Sequence, residues 1–206
     1  MYRHEEVTIL FADIAGFTAM SSKLRAEEVV EMLNSIFFMF DTLVEKYVGL
    51  EKIKTLGDCY ILCAGVPQFV PDHVTRVVAI ALEMVKKMDE FALANNYPQL
   101  GIRVGIHTGQ VMAGLIGTDK LTFDIWSNDV TAAMSMEHTG EVGRVHISQS
   151  TRVQLDEGVF ELEDGPDVHM PNNPPGSKPE PTFFVTRQLN EFISFASIPY
   201  VVRMCF

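Results

Sequence analysis

The chain has 206 residues, 47% of them hydrophobic, with three cysteines and a formal net charge of −11. That length and apolar content are enough for one domain with a substantial core. The negative charge, with no Lys/Arg cluster carrying interleaved aromatics to offset it, argues against nucleic acid as a partner.

Cys59, Cys63 and Cys205 have neither disulfide-framework nor zinc-ligand spacing, which suits a reducing compartment and a cytosolic placement. The beginning, Met1-Tyr2-Arg3-His4-Glu5-Glu6, lacks the apolar core of a signal peptide, and no apolar run reaches the roughly 18 to 20 residues that span a bilayer. The chain therefore reads as a soluble, cytoplasmic piece, and any membrane segment is expected only in a longer parent protein.

Val7-Thr8-Ile9-Leu10-Phe11-Ala12-Asp13-Ile14-Ala15-Gly16-Phe17 reads as an apolar strand that closes on a carboxylate and runs into a glycine turn. From about Ala26, Val29, Val30, Leu33, Ile36, Phe37, Phe40, Leu43, Val44 and Tyr47 recur at helical spacing opposite Glu28, Asn34, Asp41 and Glu45. The Phe and Met residues of this helix are read as core or subunit-interface filling rather than as a cofactor box. Two strands, 51–56 and 59–64, flank Gly57-Asp58 as a tight hairpin does. Alternation puts Cys59 and Cys63 on one side of the second strand, as buried thiols. Asp13 and Asp58 can then meet at the mouth of one sheet. Paired carboxylates on strand ends suit Mg²⁺, which prefers oxygen ligands and commonly shares its remaining sites with substrate phosphates.

A second long helix is expected over 72–94, with Val74, Val77, Val78, Ala81, Val85 and Met88 on its stripe, Lys86 and Lys87 near its end, and Asn95-Asn96-Tyr97-Pro98 as its stop. Two strand-like runs, 102–107 and 110–116, follow, joined at Thr108-Gly109. The order strand, helix, two strands, helix, strand predicts an α+β domain with a ferredoxin-like βαββαβ core, its helices on one face of the sheet. Further on, 121–126 reads as a strand, 128–137 as a short helix starting near Ser127 or Asn128, 144–147 as a strand, 165–181 as a proline-rich loop and 182–185 as a last strand. Residues 189–206 form an apolar tail with no assignment.

Phe11-Ala12-Asp13-Ile14-Ala15-Gly16-Phe17, Lys54-Thr55-Leu56-Gly57-Asp58 and Phe123-Asp124-Ile125-Trp126-Ser127-Asn128 resemble, in order, the signature segments of class III nucleotidyl cyclase catalytic domains. The chain is most similar to the first of the two cyclase domains of membrane adenylyl cyclases, over about residues 7–150, and the domain is taken as 1–188. The resemblance implies the class III cyclase fold, a ferredoxin-like core with additional strands and helices, and conversion of ATP to 3′,5′-cyclic AMP and pyrophosphate. It implies two Mg²⁺ or Mn²⁺ ions on Asp13 and Asp58, with the Ile14 carbonyl as a further ligand, and triphosphate contacts from the backbone of Ala15, Gly16, Phe17 and Thr18. It gives Lys54 and Asp124, flanked by Ile125 and Trp126, as the base-reading pair, in the combination associated with adenine rather than guanine. Without the family, Lys54 reads as an ordinary strand-edge lysine and Asp124 as an acid before a helix.

The departure from the family lies in the helix after Asp124. Active homodimers carry Asn seven residues on and Arg eleven residues on, to orient the ribose and hold the α-phosphate; here those positions are Thr131 and Ser135. Neither replaces a guanidinium, whose donors are fixed and permanently charged. Asn128 occupies a different turn, Arg144 lies beyond the helix, and Lys178 is what remains of the family's phosphate-binding lysine segment. The resemblance thus implies the metal-bearing half of a site shared with a second cyclase domain, a heterodimer in preference to a homodimer, with Lys54 and Asp124 facing a second, degenerate pocket. Two other readings stand beside it: a regulatory module that dimerises and binds nucleotide without turnover, and a guanylyl cyclase subunit.

Overall fold

The structure is a computed structural model that describes residues 1–189; the tail from 190 on, including Cys205, lies outside the described residues. Its elements are β1 (Tyr2–Ala15), α1 (Phe17–Ser21), α2 (Ala26–Val44), β2 (Leu50–Leu56), β3 (Cys59–Ala64), α3 (His73–Ala94), β4 (Gly101–Ile116), β5 (Thr122–Trp126), α4 (Asn128–His138), β6 (Val145–Ser148), α5 (Gln149–Arg152), β7 (Phe160–Asp164) and β8 (Thr182–Gln188). The main path of the eight-stranded sheet runs β2-β3-β1-β4-β6-β8-β7, with β5 paired to β4 off that path. The first four strands in this order, with α2 and α3 in the two crossovers, are the expected ferredoxin-like core.

Strand alternation in β1 divides the molecule. Leu10, Ala12 and Ile14 point into the main core with Ile36 and Phe40 of α2 and Val77, Ala81, Met84 and Met88 of α3. Val7, Ile9 and Phe11 point the other way, into a second cluster with Ile53, Ile61, Cys63, Ile125 and Ala133. The expectation of core helices on one face holds for α2 and α3; α4, which follows that core, lies on the other face and supplies Ala133 and Val130 to the second cluster. The reason is compositional: the long stripes of α2 and α3 cover a wide apolar face, whereas α4 offers only Ala132, Ala133, Met136 and the carboxylate of Glu137 as buried groups. Such a helix docks closely only where the sheet is bare. Gly105 and Gly109 of β4 make it so, since a Cβ on Gly105 would lie 1.9 Å from Glu137 N and one on Gly109 would lie 2.4 Å from Asp129 Cγ.

Gly109 also explains the largest disagreement with the sequence reading. Thr108-Gly109 is not a turn between two strands; β4 runs through it as a single 16-residue strand. The irregularity there is a register shift in the pairing with β1 between His4 and Val7, opposite Val111 and Gly109. Gly109 is small because Asp129 packs on it and accepts a hydrogen bond from Gln110 N at 3.0 Å. Between the expected strands at 144–147 and 182–185 the structure adds α5 and β7, which pairs with β8, elements that the sequence reading did not assign, while 165–181 is the expected loop, tied down by one bridge between Val168 and Glu180.

Cys63 is fully buried, as expected, whereas Cys59, on the same side of β3 but at its start beside the hairpin turn, is only half-buried. Burial, reinforced by the charge of Asp13, pushes the Cys59 thiol up to about 12, so it stays protonated and unreactive. No helix among the described residues is long and apolar enough to cross a membrane.

Candidate active site

Asp13 lies on the α4 face of β1, opposite Cys59 of β3 on one side and Arg103 of β4 on the other. Leu56 pairs with Cys59, leaving Gly57 and Asp58 as a two-residue hairpin loop. Gly57 takes φ 62 while Asp58 keeps a negative φ, the pattern of a type II′ turn, which needs glycine first. Because Cys59 is both the partner of Asp13 and the neighbour of Asp58, the turn brings the two acids to one sheet mouth, as expected. Burial and then the charge of Asp13 hold the Asp58 carboxyl above its usual range. Burial and the charge of Glu137 do the same to Asp13, opposed by Arg103.

Arg103 and Glu137 are the residues that sequence reasoning missed. The Arg103 guanidinium donates from Nη2 to Asp13 Oδ2 at 2.9 Å and from Nε to Glu137 Oε1 at 2.7 Å. Glu137 is 3% exposed. A lone arginine in the apolar run Ile102-Arg103-Val104 was the only local signal for this contact.

The glycine turn after β1 has the predicted form. Gly16 adopts φ 82 and caps α1, and a Cβ there would meet Gln99 O at 2.8 Å, so both conformation and space require glycine. The first amides of α1, around Phe17 and Thr18, have no intrahelical acceptor. Ala15 forms the last rung with Gly101, Phe17 packs on the core and Thr18 is exposed. Ile14 buries its side chain in the main core, and the one donor atom it can offer a cation is its backbone carbonyl oxygen.

Lys54 and Asp124, 70 residues apart in sequence, form an ion pair with Lys54 Nζ 2.5 Å from Asp124 Oδ2. Asp124 Oδ1 also accepts from Ile125 N at 2.9 Å. Ile125 buries its side chain in the second cluster, and Trp126 is half-buried. This contact requires the β4–β5 arm to curl back over the sheet, which the packing of Ile125 against Val7, Ile9, Phe11 and Ile53 accomplishes. The pair is nevertheless separate from the acids within one chain. Asp13 stands opposite Arg103 and Asp124 opposite Gly114, eleven residues further along β4 (114 − 103). The charges acting on Asp13 are those of Glu137, Arg103 and His138.

Helix α4 starts at Ser127, whose hydroxyl accepts from Asp129 N and Val130 N, both at 3.1 Å. Its outer side carries exposed Asn128, exposed Thr131 and half-buried Ser135, whose hydroxyl donates to Thr131 O at 3.1 Å. Lys178 stands exposed in the loop before β8, and among the described residues it forms no ion pair. The structure does not bring it to the acids.

Two half-buried carboxylates at a strand end, both held above their usual range, with a backbone carbonyl beside them, form a hard oxygen donor set that suits Mg²⁺ or Mn²⁺. Among the described residues no group of three or more His, Cys, Asp or Glu side chains could hold a metal ion. The pair therefore fits an ion that keeps water and takes further ligands from a substrate, not one enclosed by protein.

Comparison with known proteins gives the family. Adenylate cyclase type 9 of Gallus gallus is 44% identical over 165 residues, which are 80% of this chain and 12% of that protein, so the chain spans about an eighth of that relative's length. The guanylate cyclase domain of RhGC from Catenaria anguillulae, solved in complex with GTP, superposes with a TM-score of 0.82 at 29% identity, covering 91% of this chain and all of that one. The adenylyl cyclase CyaB from P. aeruginosa gives a TM-score of 0.81 at 26% identity, covering 91% of this chain and 97% of that one. Residues 1–187 match the family of adenylate and guanylate cyclase catalytic domains, and it is to that family that this chain belongs.

Proposed function

We propose that this domain is the metal-bearing half of an adenylyl cyclase site, completed by a second cyclase domain, and that together they form 3′,5′-cyclic AMP and pyrophosphate from ATP. What carries the reading is a combination: Asp13 and Asp58 lie at one sheet mouth, where the charge of Asp13 acts on Asp58, while Thr131 and Ser135 occupy the outer side of α4. A single chain thus has ligands for ions, while the two α4 positions that would hold the ribose and the α-phosphate are Thr131 and Ser135.

In this reading Asp13 and Asp58, with the Ile14 carbonyl, hold two Mg²⁺ or Mn²⁺ ions, and the amides from Ala15 to Thr18 receive the triphosphate. The bound ions would neutralise phosphate charge and lower the proton affinity of the attacking 3′ hydroxyl. The carboxylates orient, the glycine turn lets the backbone approach the phosphates closely, and the half-buried position limits water at the mouth. Adenine in the working pocket is read by the partner's lysine and aspartate, while Lys54 and Asp124 of this chain, already paired, line the second pocket. The domain is taken as residues 1–188, on the cytoplasmic side of a longer membrane protein.

The test is to assay cyclic AMP and cyclic GMP formation with Mn²⁺, using the chain alone and mixed with a cyclase domain that carries the Asn and Arg. Cyclic AMP from the mixture only is expected. No cyclic nucleotide from a verified heterodimer would instead favour a regulatory module that binds nucleotide without turnover, the reading that Thr131 and Ser135 keep alive. Predominant cyclic GMP would favour a guanylyl cyclase subunit.

A further inference from the structure

Glu137 has no part in the half-site just described, yet it is the most deeply buried carboxylate at the mouth. A buried carboxylate is retained at a cost unless it is paired and hydrogen-bonded. Its close partner is Arg103, through Nε at 2.7 Å, with His138 Nδ1 further off at 3.6 Å. The same guanidinium reaches Asp13 through a different nitrogen, Nη2, at 2.9 Å. One cation is therefore shared between two acids by separate arms of a rigid fork, so either bond can break while the other persists. The bare backbone at Gly105 fixes this arrangement, because it lets Met136 and Glu137 lie directly on β4 beside Arg103.

A divalent ion on Asp13 brings a second positive charge against that guanidinium, and the two repel. Something must take the guanidinium when it leaves Asp13. We propose that Arg103 is the resident counter-ion of Asp13, and that Glu137 is a positioning residue that retains it once a divalent ion takes its place. This rests on the reading that Asp13 and Asp58 hold ions. Glu137 then has two effects: it draws the guanidinium off Asp13, easing entry of the ion, and it keeps a fixed cation at the rim of the mouth in the loaded state.

The test uses metal alone, without nucleotide or turnover. In ¹H–¹⁵N spectra of the chain titrated with MgCl₂, the Arg103 Nε–H signal should shift as the ion binds and remain protected from solvent exchange. In Glu137→Gln it should be lost to exchange on Mg²⁺ addition, and calorimetry should show Mn²⁺ bound about three- to tenfold more weakly. Arg103→Met, which removes the competing cation, should bind Mn²⁺ tighter by a similar factor. The proposal falls if the wild-type signal is lost to exchange on Mg²⁺ binding, if it does not move at all, or if Arg103→Met weakens Mn²⁺ binding. Should Glu137→Gln fail to fold, the wild-type titration still decides. Undiminished Mn²⁺ binding by Asp13→Asn would overturn the metal reading itself, and this inference with it, whatever Arg103 does.

Discussion

Gly105→Ala is a one-carbon change whose effect can be worked through from the packing of α4. The added Cβ would lie 1.9 Å from Glu137 N, 2.5 Å from Met136 C and 2.6 Å from Glu137 Cα, all of them backbone atoms that cannot rotate away. Ordinary contact begins at 3.4 Å, so α4 must retreat by about 1.5 Å, the difference between 3.4 and 1.9. Overpacking of a dense core costs about 1–3 kcal/mol. A retreat of that size also stretches the 2.7 Å bond between Arg103 and Glu137, and disturbing a charged hydrogen bond of this kind costs about 1.5–3 kcal/mol. The two costs overlap, so we expect a loss near 3 kcal/mol, or about 6–12 °C in Tm for a domain of this size. Gly143→Ala is the control. Gly143 has φ 78 with no heavy atom within 4 Å of an added Cβ, so only left-handed strain of about 1–2 kcal/mol applies. Thermal unfolding of the two variants beside the wild type measures the difference, and the Mn²⁺ affinity of Gly105→Ala should fall as Glu137 withdraws. An unchanged Tm for Gly105→Ala would show that α4 is not held against β4 as described.

Asp13→Asn or Asp58→Asn should abolish cyclic AMP formation in the mixed assembly while leaving the far-ultraviolet circular dichroism spectrum unchanged; retention of wild-type rates by both would refute the metal assignment. Thr131→Asn with Ser135→Arg exchanges side chains on the exposed side of α4, at little cost in stability, and should give a homodimer whose activity rises about 10²- to 10³-fold, with ATP preferred over GTP through Lys54 and Asp124. If that variant dimerises, binds Mn²⁺-ATP and forms no product, the defect lies in more than two side chains. Burial holds both His73 and His146 below their ordinary value near 6.5, so the unfolded chain binds more protons than the folded one as pH falls through that value. Stability should therefore be level above pH 7 and decline by up to about 1.4 kcal/mol per pH unit per histidine below 6.5, as read from urea midpoints at pH 7.5 and 5.5. Asp13 and Asp58, whose carboxyls are held high, act in the opposite sense, so a midpoint that rises on acidification would mean that they outweigh the histidines.

Much of the core was legible because its signals are local. The apolar run of β1 ending on Asp13, the Gly57-Asp58 hairpin, the stripes of α2 and α3 and the stop at Asn95-Asn96 each follow from a few neighbouring residues; Asn96 does adopt the left-handed conformation, at φ 58. Resemblance added what periodicity could not, namely that Lys54 and Asp124 belong together, and they meet across 70 positions. The sequence by itself therefore determined the ferredoxin-like order, the approach of the two acids and the presence of Thr and Ser, in place of Asn and Arg, at positions 131 and 135 of α4. Tertiary structure alone decided that β4 runs unbroken through Thr108-Gly109, that α4 crosses to the opposite face, and that Arg103 divides itself between Asp13 and Glu137. In each of those cases the deciding contact comes from a distant element. A glycine that makes room for a helix looks, in sequence, the same as a glycine that makes a turn, and the partner of a strand arginine is fixed only when the helix 34 residues later has docked beside it.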